Sequence, residues 1–208
     1  GNASNGDRET FKLVMKSGYV GSTYDNSDHT SLNSDFVGQD VQCVYLSVSG
    51  TSLATGYRQM IFEGGNVQAI CGGCDIWGGP GNSPTLDNVN KPYATIYIKG
   101  GDDYPIVRGS VFAGAANAYT YGNRKVIMTG GLVKGWVAGA CNGRRDDTGI
   151  NIGPTYVYVG GNAKTVHTEG FSINGAQSGN VYGAGNGFKN NDGTAGTKGS
   201  GSVQYGTN

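Results

Sequence analysis

The sequence has little proline, little charge and no long apolar run. Proline occurs only 5 times, and the 39 glycines follow no strict three-residue period, which excludes a collagen-like triple helix. No apolar stretch approaches the roughly 20 residues that a membrane-spanning helix requires. Lys and Arg together number 15, as do Asp and Glu, so the basic excess typical of nucleic-acid-binding proteins is missing. We therefore expect no nucleic-acid partner and no membrane-spanning segment in this chain.

Helical periodicity is missing as well. An amphipathic helix requires apolar residues at i, i+3, i+4 and i+7 over ten or more positions, whereas Gly, Asn or Asp interrupts the apolar runs here after a few residues. The runs are rich in Val, Ile and Tyr, which suit pleated strands, and the hydrophobic fraction of 37% argues against a disordered chain. Strands are predicted at 11–15, 41–48, 57–62, 94–99, 125–128, 155–159 and 178–182.

A loose phrase recurs along the chain. It consists of an apolar run, a glycine pair, a second apolar run, and then Gly-Ala-x-Asn or a close variant. Such self-similarity is typical of a coil that stacks on copies of itself, and the glycines supply the left-handed backbone conformations that tight corners need. The phrase reads MIFEGGNVQAICGGCD at 60–75, RKVIMTGGLVKGWVAGACNG at 124–143, and TYVYVGG at 155–161 followed by GNVYGAGNG at 179–187, with pieces at 94–101 and 109–117.

The pattern predicts an all-β, single-domain parallel β-helix with Val, Ile and Tyr stacked in interior ladders. Intervals between similar residues indicate coils of 22 to 27 residues, with Tyr158 and Val181 at equivalent positions 23 apart. Ile96 and Val111 are only 15 apart and are expected on different faces of one coil. The alternative is an antiparallel β-sandwich, which also has short strands with regular turns. A sandwich, however, does not need a glycine pair straight after each strand.

Composition divides the chain into two parts. Residues 1–40 are polar, lack the repeated phrase, and are expected to form an N-terminal cap or an irregular segment, whereas 41–208 is expected to form the glycine-rich solenoid. The C-terminal stretch from 183 to 208 predicts either one last rung around 202–205 or a frayed end. Because the chain begins at Gly1 without a signal peptide, we interpret it as a mature or trimmed segment.

The CGGC motif at 71–74 has three interpretations. The favoured one stacks Cys43 and Cys71 as small apolar residues in an interior ladder. The others are a structural disulfide, or a redox or metal pair. No helix start follows Cys71, as a thioredoxin-type motif would require, and Cys141 lies several coils beyond Cys74. We therefore predict no metal and no cofactor, and the disulfide state of the four cysteines stays open.

The candidate binding residues are aromatic or charged residues in loop contexts. Exposed aromatic faces stack on sugar rings and anchor protein partners, and the charged run RRDD could line a polar groove. The alternative, without a binding role, is a solvated turn in which the two arginines neutralise the two aspartates. His29 and His167 occur in no recognisable catalytic motif, and no catalytic residue is predicted. The candidates are Trp77, Tyr119, Tyr121, Arg144, Arg145, Asp146 and Asp147.

The stretches IMTGGLVKGWVAGACNG and FSINGAQSGNVYGAGNG resemble the glycine-rich repeats of bacterial cell-surface proteins that form parallel β-helices, including autotransporter-like passengers. The resemblance covers roughly residues 60–187. It implies a parallel β-helix and an extracellular or cell-surface location. Its motif is structural and repetitive, so it implies no active site.

Three functions fit these features. The first is a structural or adhesion module that binds a glycan or a surface protein through an exposed solenoid face. The second is a polysaccharide lyase or hydrolase on the same scaffold, which would need converging acids and a base. The third is a spacer segment of a larger exported protein. The first is favoured, so we lean against an enzyme, and we expect a monomer or end-to-end association.

Overall fold

The computed structural model describes residues 10–21, 44–46, 57–73, 92–101, 104–115, 120–140, 151–167, 172–173, 176–177, 179–185 and 203–204. All regular secondary structure within these residues is β, and none of them lies in a helix.

Three parallel sheets of five strands each form the body of the molecule. Sheet A contains the long strands, and sheets B and C contain strands of two residues. The chain passes through sheets A, B and C in turn five times, and we call each passage a coil. In chain order, sheet A consists of β1 (Thr10–Met15), β4 (Tyr57–Phe62), β7 (Pro92–Ile98), β11 (Asn123–Met128) and β15 (Thr155–Val159); sheet B of β2 (Tyr19–Val20), β5 (Asn66–Val67), β8 (Ile106–Val107), β12 (Leu132–Val133) and β16 (Lys164–Thr165); and sheet C of β3 (Val44–Tyr45), β6 (Ile70–Cys71), β9 (Val111–Phe112), β13 (Val137–Ala138) and β19 (Val181–Tyr182).

Two smaller sheets complete the described strands. A three-stranded parallel sheet contains β10 (Thr120–Tyr121), β14 (Asn151–Ile152) and β20 (Val203–Gln204), and β20 confirms the rung predicted around 202–205. The pair β17 (Ser172–Ile173) and β18 (Ala176–Gln177) is antiparallel.

Every other described pairing is parallel, so the antiparallel sandwich is wrong for this part of the chain. The arrangement is consistent with the predicted parallel β-helix.

Glycine pairs mark the corner at which the chain leaves sheet A. They follow β4, β7, β11 and β15, at 64–65, 100–101, 130–131 and 160–161. Gly131 has a φ of 81°, in the left-handed region that disfavours residues with a β-carbon. A β-carbon on Gly130 would also collide with the backbone of Gly100 in the preceding coil. The predicted recurrence of glycine pairs at one corner is therefore confirmed, and its cause is both conformational and steric.

The apolar core lies between the three sheets. Side chains alternate across each strand of sheet A, and the inward ones pack with inward Val and Ile of sheets B and C. Tyrosine does not belong to this core among the described residues: Tyr97, Tyr156 and Tyr158 occupy outward positions. The expected tyrosines in the interior ladder are therefore wrong, because a buried hydroxyl would need a polar partner that an apolar core does not offer. The fully buried residues that sheet A contributes to the apolar core are Met60, Phe62, Ile96, Ile98, Val126 and Met128.

The interval between successive coils varies, and only some steps fall within the predicted 22 to 27 residues. The steps from Val44 to Ile70 in sheet C and from Ile106 to Leu132 in sheet B are 26 residues, whereas the corner after sheet A gives longer ones. Glycine pairs begin at positions 64, 100, 130 and 160, so successive coils measure 36, 30 and 30 residues at this corner. The predicted equivalence of Tyr158 and Val181 is wrong, because they lie in sheets A and C. Similar apolar and glycine residues recur on more than one face, so matching residue types gives too short an interval. Ile96 and Val111 do lie on different faces of one coil, as predicted.

The parallel stacking begins before residue 41. Strands β1 and β2 lie within the 1–40 segment that was expected to be a cap or irregular. Strand β1 pairs along its whole length with β4, from Thr10 opposite Tyr57 to Met15 opposite Phe62. These two strands belong to the first coil, so the solenoid part of the chain extends further towards the N-terminus than its composition indicates.

Cys71 is buried in sheet C, but its place differs from the expected ladder. Its register partner in the first coil is Tyr45, whereas Ile70 pairs with Val44 and belongs to the apolar core. Cys43, Cys74 and Cys141 lie outside the described residues, so their pairing stays a prediction.

Two arginines are buried at the start of sheet A strands. Arg124 is fully buried, and its Nη2 donates a hydrogen bond of 2.7 Å to the carbonyl oxygen of Gly153. The guanidinium of Arg58 lies 4.4 Å from the centroid of the Tyr93 ring. Charged groups are costly to bury unless they are paired, and these contacts provide part of that compensation. Arg124 thus joins the fourth coil to the backbone that leads into the fifth.

Candidate functional site

Sheet A turns one side to the core, and its opposite side forms a surface that we call the outer face. Because the strands are parallel and in register, outward residues of successive coils align in columns about 4.8 Å apart. The apolar column consists of Val14, Ile61, Tyr97, Ile127 and Tyr158, and the polar column consists of Lys12, Gln59, Thr95, Lys125 and Tyr156, of which Thr95 is buried.

Both columns end in tyrosine in the fifth coil. Tyr156 and Tyr158 expose 50% and 44% of their surface, more than any other described aromatic residue. Further along the apolar column, Tyr97 is half-buried, and Lys99 Nζ lies 5.6 Å from the centroid of its ring. An ammonium at this distance is attracted to the ring face. The outer face therefore presents an extended strip of aromatic and aliphatic groups bordered by lysines.

A shallow pocket adjoins this strip at the corner between sheets A and B. It has a volume of about 320 Å³ and is lined by Tyr104, Asn162, Lys164 and the backbone around Gly161. In the second and fourth coils three residues connect the A and B strands, whereas seven do so in the third coil and four in the fifth. The longer connection of the third coil carries Tyr104 outward, and the extra residue of the fifth coil forms the facing wall.

The hydroxyl of Tyr104 connects neighbouring coils at this corner through hydrogen bonds. It lies 3.0 Å from the carbonyl oxygen of Gly131 and 3.4 Å from that of Asn162, and it can donate to either. Tyr104 thereby spans the fourth coil and contacts the fifth. Its ring is partly exposed, so it offers an apolar wall beside the Asn162 amide and the exposed Lys164 ammonium.

The aromatic strip approaches the pocket wall through Tyr158. The hydroxyl of Tyr158 lies beside Gly160, where a β-carbon would be 2.5 Å from it. Gly160 directly precedes Gly161 in the pocket wall. The glycine therefore leaves room for the Tyr158 ring to lean towards the corner. Together these groups can stack on a flat ring and hydrogen-bond to its substituents.

Most of the binding residues predicted from the sequence lie outside the described part of the chain. These are Trp77, Tyr119, Arg144, Arg145, Asp146 and Asp147. The backbone of Tyr121 lies in β10, where it pairs with Ile152 of β14. The predicted roles of all seven residues stay predictions.

Sequence reasoning missed the tyrosines of the outer face. The sequence pattern predicts tyrosines in the interior ladders, although the alternation of TYVYV at 155–159 already separates two faces. Val157 points towards the core, and Tyr156 and Tyr158 consequently point away from it. The missing information was that the fifth coil ends sheet A, which leaves these rings uncovered on one side.

Charge is unevenly distributed along the chain. The described residues include nine Lys and Arg but only one carboxylate, Glu63; the other fourteen Asp and Glu lie elsewhere in the sequence. Within the described ranges, no three His, Cys, Asp or Glu residues are grouped so that they could hold a metal ion. The chemistry that this part of the outer face supports is binding by stacking, hydrogen bonding and lysine contacts.

Comparisons with known proteins identify no relative. No protein family, curated protein or solved structure matches this chain. In the portion of the chain that the structure describes, no helix has the length and apolar character needed to cross a bilayer. The function must therefore be argued from the outer face itself.

Proposed function

We propose that this chain is a parallel β-helix of the cell surface or extracellular space, a structural or adhesion module that binds a glycan through the outer face of sheet A. The half-exposed tyrosine pair, Tyr156 and Tyr158, with the Tyr158 hydroxyl beside Gly160 next to the corner pocket, carries this proposal. The resemblance to glycine-rich surface repeats supports the fold and the location. A glycan is favoured over a protein partner because the strip ends in two half-exposed tyrosine rings close to a small pocket that offers an amide and an ammonium.

In this proposal the strip stacks on the sugar rings, and the pocket orients the ligand. An aromatic side chain combines a large apolar face with little conformational entropy to lose on binding. The rings of Tyr158 and Tyr97, two coils apart in one column, support an extended chain of sugar rings. Asn162 and Lys164 supply directed polar contacts at one end, and these contacts orient the ligand.

Binding of purified protein to a glycan array, followed by calorimetric titration with the best glycan, tests this proposal. Replacing Tyr158→Ala removes the ring that joins strip and pocket, and we expect at least about a tenfold loss of affinity, equal to about 1.4 kcal/mol. Val14→Ala is the matched control, because Val14 lies in the same column at the opposite end. We expect its affinity to stay within about twofold of wild type.

The other outcomes separate the remaining functions. Reducing-sugar and unsaturated-product assays on the same samples would reveal a lyase or hydrolase, and released product would overturn a purely binding role. If no glycan binds, the glycan assignment is wrong. Equal losses for Tyr158→Ala and Val14→Ala would place the ligand elsewhere on the molecule.

A further inference from the structure

In the part of the chain that the structure describes, core positions at both ends of the stack are partly exposed. In sheet C, Val181 of the last coil is 44% exposed, although its register partner Val137 is fully buried. In sheet A, Val159 is 37% exposed, although Met128 beside it is fully buried. At the other end, Leu13 of the first coil is 40% exposed opposite a fully buried Met60. Apolar side chains therefore line both end surfaces.

The two end surfaces present corresponding strands. The fifth coil presents β15, β16 and β19, and the first coil presents β1, β2 and β3, in the same order of sheets A, B and C, while β20 continues the smaller three-stranded sheet beyond β14 at the C-terminal end. Strands β1 and β15 are the edges of sheet A, and an edge strand has backbone groups available for pairing with another chain. Because every internal step is parallel, a second copy shifted along the stack would continue the same pairing.

The register also matches the side chains. The internal ladders connect Leu13 to Val157 and Met15 to Val159 through the intervening coils. Continued into a second copy, they would place Val157 against Leu13 and Val159 against Met15, so that apolar side chains meet.

The polar column adds complementary chemistry at the same junction. It begins with Lys12 and ends with Tyr156, so the junction would bring an ammonium next to a half-exposed aromatic ring. A lysine over a tyrosine face is attracted to it. No described pair of like charges is opposed along this column at the junction.

We propose that this chain associates head to tail, with the last coil of one copy pairing in parallel with the first coil of the next. Such a contact uses two different surfaces, so it does not close on itself, and it builds linear chains of copies. This inference does not depend on glycan binding, because the junction rests on the edge strands and the inward apolar residues at the ends of the stack, and of the tyrosine pair on the outer face only Tyr156 contributes to it.

Two charged variants test each end separately. Val159→Asp blocks the last coil and Leu13→Asp blocks the first coil, and both positions are exposed enough for the single copy to keep its fold. In sedimentation velocity over a range of concentrations, we expect the average mass of the wild type to rise beyond that of a dimer. Each variant alone should be monomeric, with an association constant lowered more than tenfold, since an unpaired carboxylate would be buried in the contact.

An equimolar mixture of the two variants gives the decisive result. Each retains one intact end, so the mixture should form dimers and nothing larger. Ile127→Asp, at an outward position in the middle of sheet A, is the control and should associate like the wild type. A wild type that stays monomeric up to about millimolar concentration overturns the proposal.

A symmetric contact gives a different pattern. If one single variant still dimerises, or if the mixture contains no dimer, the contact is not head to tail. Circular dichroism verifies the fold of each variant. If either loses its β spectrum, Val181→Lys and Val20→Lys test the same two ends at other exposed core positions.

Discussion

Val137 in the fourth coil and Val181 in the fifth are register partners in sheet C, yet Val137 is fully buried and Val181 is largely exposed. The two coils place the same residue at the same position. The difference arises because the fourth coil has neighbours on both sides and the fifth is covered on one side only. In a stack of this kind, burial is supplied by adjacent coils, and the stability of one coil depends on its interfaces with them.

The largest expected loss of stability comes from creating a cavity in the middle of the stack. Phe62 is fully buried in the second coil, and Phe62→Ala removes its ring and leaves a cavity. We expect the free energy of unfolding to fall by about 3–5 kcal/mol. Chemical denaturation followed by circular dichroism measures this change. A loss below about 1 kcal/mol would show that the middle coils are no better packed than the ends.

The valine pair gives the sharpest comparison. Val137→Ala removes two buried methyl groups, and we expect it to cost about 2 kcal/mol, whereas Val181→Ala should cost less than about 1 kcal/mol because its side chain already contacts solvent. The two variants share residue type, sheet and register, so only the missing neighbour differs. Equal losses of unfolding free energy for the two variants in dilute solution would mean that Val181 is as well covered as Val137.

Three glycines give a graded comparison that ends with the smallest expected effect. Gly131→Ala combines a positive φ with close contacts to Pro105 and Ile98, and we expect a loss of about 2 kcal/mol or more. Gly18 shares the positive φ but has open space around it, so Gly18→Ala should cost about 1 kcal/mol. Gly183 has neither constraint, and Gly183→Ala should change stability by less than about 0.5 kcal/mol. The same denaturation experiment ranks all three, and any other order would refute this account of the corner.

Much of the fold could be predicted from the sequence because its corners have a chemical signature. The strands at 57–62 and 155–159 were predicted with the observed bounds. The spacing between the glycine pairs that begin at 64, 100, 130 and 160 also indicates the coil length. That spacing was obscured because apolar residues followed by glycine also occur in sheet C, where they mark a different face.

The candidate site was harder to predict because exposure depends on stacking order. Alternation places Tyr156 and Tyr158 on one side of β15, but it does not tell which side faces the core or that β15 is an edge. The pocket depends on two corners of unequal length that are brought together through the fourth coil. Tyr104 reaches Asn162, 58 positions later, and no local pattern in the sequence signals that contact.

After a shift between Asn123 and Arg124, the register of sheet A is regular to the ends of its strands, and this regularity makes each turn of the chain an interchangeable module. Strand β7 pairs with β4 on one side and β11 on the other, and the same inward and outward alternation runs through all three. Duplicating or deleting one whole turn would therefore leave its former neighbours compatible. Each added or deleted turn would change the length of the stack by about 4.8 Å. The number of turns therefore sets how far one end of the stack projects from the other.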